Sequence, residues 1–129
     1  MAAPNIVNVA TIKGKTVTIA AQKAATVAEG TQLIANPDDA TTVFKVNSII
    51  VANVDGTSPA DITIKFWNHE DSTSGTKFSI CSTVAVPADA SLIVIDKNTS
   101  FYMEPDTSVY CTASEDSDLE VIASYEEIS

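Results

Sequence analysis

Forty-one of the 129 residues are valine, isoleucine or threonine, against only three leucines. A side chain branched at Cβ loses rotamer freedom in a helix and packs well on a pleated surface. A chain in which nearly every third residue is of this kind is expected to be all-β. Apolar residues reach 45%, enough for a folded globule and too many for a disordered acidic chain.

Turn chemistry punctuates the sequence at Asn36-Pro37, Asp55-Gly56, Ser58-Pro59, Ser74-Gly75, Pro87-Ala88-Asp89, Asp96-Lys97-Asn98, Glu104-Pro105-Asp106 and Glu115-Asp116-Ser117-Asp118. Between these breaks, apolar alternation predicts strands over Val43–Asn53, Asp61–His69, Lys77–Val86, Ser91–Ile95, Phe101–Met103, Thr107–Ala113 and Leu119–Tyr125. Short strands at roughly a dozen-residue spacing are the mark of a two-sheet β-sandwich, jelly-roll-like in its wrap. The first forty residues read differently. Asn5–Ile12 and Lys15–Ala20 alternate around a turn expected at Lys13-Gly14-Lys15, while Ala20–Ala28 is alanine-rich without a helical stripe. Thr31–Ala35 is a short strand. The expected organisation is therefore an extended N-terminal arm with added edge strands over 1–40 and a β-sandwich domain over 41–129.

The charge narrows the function. Seven Lys and Arg against 17 Asp and Glu give a net charge of −10. Such a surface repels nucleic-acid phosphates and anionic lipid alike, so neither nucleic acid nor membrane is an expected partner. No apolar stretch approaches the roughly 18 residues of a membrane span. Met1–Ala10 has no basic leader and no continuous apolar run, so a secretory signal is not expected. Without one, Asn98-Thr99-Ser100 reads as a chance glycosylation sequon.

No catalytic constellation stands out, and no cofactor or metal is expected. The single histidine, His69, lies beside Glu70 and Asp71 at a polar loop tip, with no serine or cysteine in a nucleophile setting. The Glu115–Asp118 turn lacks the order of a calcium loop and reads as a solvated turn. Cys81 and Cys111 have no CxxC partner. Strand parity puts Cys81 opposite the apolar side of its strand and Cys111 on it, so two separate thiols are expected, pointing to different sides. A sugar- or receptor-binding module would have to use Trp67, Tyr102 and Tyr110, which form no cluster in the sequence.

Val43–Asn53 is apolar on both of its sides: Phe44, Val46, Ile50 and Ala52 on one, Val43, Ile49 and Val51 on the other. One small sandwich can hardly cover both, so a homo-oligomer is expected, with a trimer favoured. The surface expected to meet neighbours combines Ile6, Val7, Val9, Ile12, Val17 and Ile19 of the arm with Ile49, Val51 and Trp67.

Several segments resemble a known group. They are Val43–Asn53 with its Val-Ala-Asn end, Asp55-Gly56-Thr57, Ala60–Ile64, Thr83–Asp89 with its Val-Pro-Ala turn, Leu92–Ile95, Val109–Ser114 and Ser124-Tyr125-Glu126-Glu127. In this succession the chain resembles the small virion structural proteins of marine tailed bacteriophages, those of cyanobacteria above all. Met1–Ile12 is similar to their common opening. Relatives often carry Gly-Asp before the penultimate strand, where this chain has Pro105-Asp106. The resemblance implies a virion component without catalytic residues, assembled in the host cytoplasm. A capsid-surface decoration (cement) protein bound to the major capsid protein or to neighbouring virion subunits is the leading expectation. A neck, tail or fibre-associated subunit is the alternative.

Overall fold

The computed structural model describes residues 11–23 and 29–129. They form nine antiparallel strands: β1 (Ile12–Ala20), β2 (Thr31–Asn36), β3 (Val43–Asn53), β4 (Ala60–Trp67), β5 (Lys77–Val86), β6 (Ser91–Ile95), β7 (Phe101–Met103), β8 (Thr107–Ala113) and β9 (Leu119–Ile128). One sheet runs β1-β9-β3-β6, with the short β7 also paired to β3; the other runs β2-β8-β4-β5. The all-β sandwich expected from the β-branched content is present.

The pairing explains the wrap. β4 pairs with β5, β3 with β6, β2 with β8 and β1 with β9. The chain is thus one long antiparallel hairpin, folded back near the β4–β5 loop and coiled so that its pairs fall alternately in the two sheets. This is the jelly-roll wrap. Between the sheets lies a core of aliphatic side chains, with Ile49, Ile62, Ile64, Met103, Leu119, Val46 and Val51 almost without solvent exposure.

One feature of the first forty residues differs from expectation. Lys13-Gly14-Lys15 is not a turn: β1 passes straight through it, with Gly14 opposite Glu126. The segments at 12–20 and 31–36 are edge strands, one in each sheet, and Ala21, Leu33 and Ile34 are buried in the core. Gly30 leads into β2 at φ +99, where a Cβ would stand 2.4 Å from the Cys111 carbonyl oxygen. Only glycine fits so close to β8 at that dihedral.

A bulge in β3 gathers its largest buried side chains onto one side. The register against β9 shifts between Val46 and Ser48, leaving Asn47 as an extra residue. A bulge of this kind reverses the alternation beyond it. Phe44 and Val46 face inward before the bulge, and Ile49 and Val51 face inward after it, the last three with no exposed surface. Ile49 and Val51 are therefore core residues, not interface residues, and only Ile50 of that stretch is exposed. The case for a trimer built on a second apolar side of β3 falls with them.

Candidate interaction surface

The remaining expected interface residues are scattered. Ile6, Val7 and Val9 lie outside the described residues. Ile12 is exposed at the start of β1, whereas Val17 and Ile19 lean on the core, half-buried. Trp67 is buried, so it is no free anchor for a partner. It sits on the outer side of its sheet opposite Ser108, and the loop at 68–76 lies beside that side. Tyr110 meets the Trp67 ring edge-on at 6.1 Å, and the Lys77 ammonium stands 5.5 Å from its centroid. The Tyr110 hydroxyl accepts from the Ser72 N–H at 3.2 Å and from Gln32 Nε2 at 3.1 Å, while the Ser108 hydroxyl donates to the His69 carbonyl at 2.8 Å. Gly75 at φ +80 lets this loop turn against Asn68 and His69.

His69 belongs to the same loop. Burial opposes its charge, but the Asp71 carbonyl and the Asp106 and Asp71 carboxylates outweigh it and raise its pKa. Asp71 is held below the usual carboxylate range by the Thr73 hydroxyl and N–H. Across the molecule, Asp55 is likewise held low by the Thr57 N–H and hydroxyl, at 2.9 and 2.8 Å. Asp118 is raised by partial burial and by the nearby Asp55 and Glu115. In the 115–118 turn, Asp116 accepts from the Lys23 N–H at 2.8 Å and the Ser117 hydroxyl receives Gln22 Nε2 at 3.0 Å. Among the described residues no three His, Cys, Asp or Glu side chains converge as a metal centre requires.

The thiols are separate, but for a different reason from the one expected. Cys81 and Cys111 are both opposite Ile64, one on each flank of β4. Register shifts in β5 return Cys81 to the inner side, so both thiols face the core with a strand between them. Two strand spacings are about 9.5 Å, beyond the roughly 7 Å Cα limit of a disulfide. Both are free, and burial pushes both pKa values up.

What does assemble is the outer side of the β1-β9-β3-β6 sheet. Residues directly opposite across a ladder share a side of the sheet. One row is therefore Thr18, Ile122, Ile50 and Ile93; the row above is Ala20, Glu120, Ala52 and Ser91; the row below is Thr16, Ser124 and Ser48. Ile50, Ile122 and Ile93 are 37, 45 and 64% exposed. Glu120 is the one charged residue in the three rows, on a chain of net charge −10. At the β1 end, the short Thr18 and Ala20 leave a hollow of about 310 Å³ beside Glu120 and Ile122. In the sequence, Ile122 is visible as an apolar residue on the polar side of β9, between Glu120 and Ser124. Ile93 is masked by the unbroken apolar run Leu92–Ile95, and Ile50 by the unseen bulge.

A second apolar feature opens between the sheets on the β5–β7 side. It is a cleft of about 310 Å³ lined by Phe66, Ile80, Phe101 and Tyr102, with Phe66 and Phe101 edge to face at 6.1 Å.

No family model and no curated protein matches the sequence. Among solved structures, the chain is similar to a subunit from Bacillus endospore appendages, described as a novel family of disulfide-linked pili. The TM-score is 0.52 at 16% identity, over 100% of this chain and 96% of that one. At that identity the likeness concerns the fold.

Proposed function

We propose that the chain is a non-enzymatic structural subunit of a phage virion, a decoration or cement protein seated on the capsid surface against the major capsid protein. The observation that carries this reading is the outer side of the β1-β9-β3-β6 sheet. On a chain of net charge −10, three rows of this sheet carry one carboxylate and a line of exposed isoleucines. Such a patch marks a surface that is covered in the working state. The resemblance of Val43–Ser129 to marine phage virion proteins supplies the particle. The jelly-roll wrap, shared by viral capsid domains among others, is compatible with it. The neighbour of similar fold comes from disulfide-linked pili, which is compatible with a structural role.

Densitometry of purified particles tests the reading. A copy number in fixed ratio to the major capsid protein is the expected result. A copy number of one or two rings would move the subunit to the neck or tail, the alternative within the virion. Absence from particles that otherwise assemble normally would overturn the virion assignment.

A further inference from the structure

The outer side of the β1-β9-β3-β6 sheet has relief as well as composition. Its apolar row runs from Thr18, at the hollow beside β1, across Ile122 and Ile50 to Ile93 on β6, the most exposed of the three isoleucines. We propose that this face packs on the same face of a second copy, about a two-fold axis that runs parallel to the strands between β9 and β3. The proposal rests on reading the face as a packing surface and names what covers it.

About that axis, β6 of each copy lies over β1 of the other, and β9 lies over β3. Ile93 of one copy then enters the hollow over Thr18 and Ala20 of the other, and Ile122 of each covers Ile50 of the other. A knob at one end of a row and a hollow at the other make the patch complementary to itself, the condition for an isologous contact. A three-fold ring would instead need two different complementary patches. Sheets stack face to face at about 10 Å with strands crossing near 30°, which these short side chains accommodate.

Charge permits a second copy at this face. Two chains of net charge −10 repel, so a contact between copies needs a face with few carboxylates. Here the three rows bring only Glu120 of each copy, and it falls opposite Ala52 of the other. Four strands by three rows span about 400 Å² per copy, half of the roughly 800 Å² that a standard interface takes from each partner. The pairing is therefore weak between free chains and is strengthened where many copies are held close together on one assembly.

A cross-link tests the geometry. In a Cys81→Ser background, the double variant Thr18→Cys, Ile93→Cys places one new thiol against the other between copies. Within one chain the two positions are three strands, about 14 Å, apart and cannot join. Stacked sheets set the paired Cα atoms about 10 Å apart, too far for a direct disulfide, so a short bifunctional thiol reagent that bridges this gap but not ~14 Å is expected to give a covalent dimer from the double variant and none from either single variant. Ile50→Lys, at an exposed position that leaves folding intact, is expected to abolish the self-association that wild type shows by sedimentation between micromolar and millimolar concentration. No covalent dimer, with wild type monomeric throughout, would overturn the pairing. If Ile50→Lys then also lost particle binding, the face would be a packing surface for another virion subunit, and the broader reading would survive. Were Ile50→Lys to bind particles as wild type does, the sheet face would take no part in attachment, and the virion reading would be decided by copy number alone.

Discussion

At Asn53 a single amide side chain joins three segments of the fold. Its Nδ2 donates to the carbonyls of Ser58 at 3.0 Å and Val86 at 2.9 Å, and its Oδ1 accepts from the Asp55 N–H at 2.9 Å. Val86 belongs to the opposite sheet, so this asparagine, 3% exposed, ties the sheets together where β3 ends. That gives a physical reason for the Val-Ala-Asn ending on which the phage resemblance partly rests. Asn36 does comparable work at the other end of the sandwich, donating to the Thr42 and Met103 carbonyls at 2.8 and 3.0 Å. Asn53→Leu leaves the buried Val86 carbonyl and the Asp55 N–H without their partner, and a buried unmet group costs on the order of 1–3 kcal/mol. A loss of about 3 kcal/mol in urea unfolding is expected. Asn53→Asp is expected to be worse, since it turns a donor into an anion facing two carbonyl oxygens. If the two variants unfold at the wild-type urea midpoint, Asn53 does not hold the sheets together.

Among the elements, strand identity was legible in the sequence and strand alternation was not always so. β3, β5, β6, β7 and β8 run between the residues that apolar alternation and turn chemistry indicate. The misreadings sit at bulges. An extra residue at Asn47 brings Ile49 and Val51 to the same side of β3 as Phe44 and Val46. Irregular pairing of β5 with β4, where Thr83 takes φ +52, returns Cys81 to the core side. Neither bulge is marked by a glycine, so period-two counting runs past both. The candidate surface was hidden for the same cause: with β3 read as doubly apolar, its exposed member could not be told from its buried ones. The Asn47 bulge can be tested by removal. Without that residue, either Phe44 and Val46 or Ile49 and Val51 must turn outward, because a one-residue slip moves every later side chain to the other side. Deleting Asn47 is expected to abolish cooperative thermal unfolding and give insoluble protein. Asn47→Gly, which keeps the extra residue, is expected to retain a cooperative transition. A soluble, cooperatively melting deletion variant would show that β3 does not need the bulge.

For the whole molecule, the long-hairpin wrap decides which parts of the chain can be removed. β1 and β2 are the N-terminal arms of the hairpin, and each pairs with a strand from the C-terminal third: β1 with β9 over nine residues, β2 with β8. Removing them uncovers the length of β9 on one sheet and β8 on the other, together with the core surface that Ala21, Leu33 and Ile34 cover. Unpaired inner strands with apolar neighbours are templates for aggregation. A deletion of residues 1–35 is therefore expected to yield aggregated protein with no cooperative transition, whatever the segment contributes to attachment. The informative deletion is shorter. At Thr11 the backbone closes the sheet against the other terminus, its N–H donating to the Ser129 carbonyl at 3.0 Å and its carbonyl accepting from the Ser129 N–H at 2.9 Å. A chain beginning at Thr11 keeps every described strand and is expected to melt cooperatively within a few degrees of wild type. It removes Ile6, Val7 and Val9 and keeps all nine described strands, so the binding of a cooperatively folded product to particles separates their role from that of the sheet face. Co-sedimentation with particles lacking this subunit is the measurement: loss of binding by a cooperatively folded chain assigns attachment to residues 1–10, and undiminished binding assigns it to the sandwich itself.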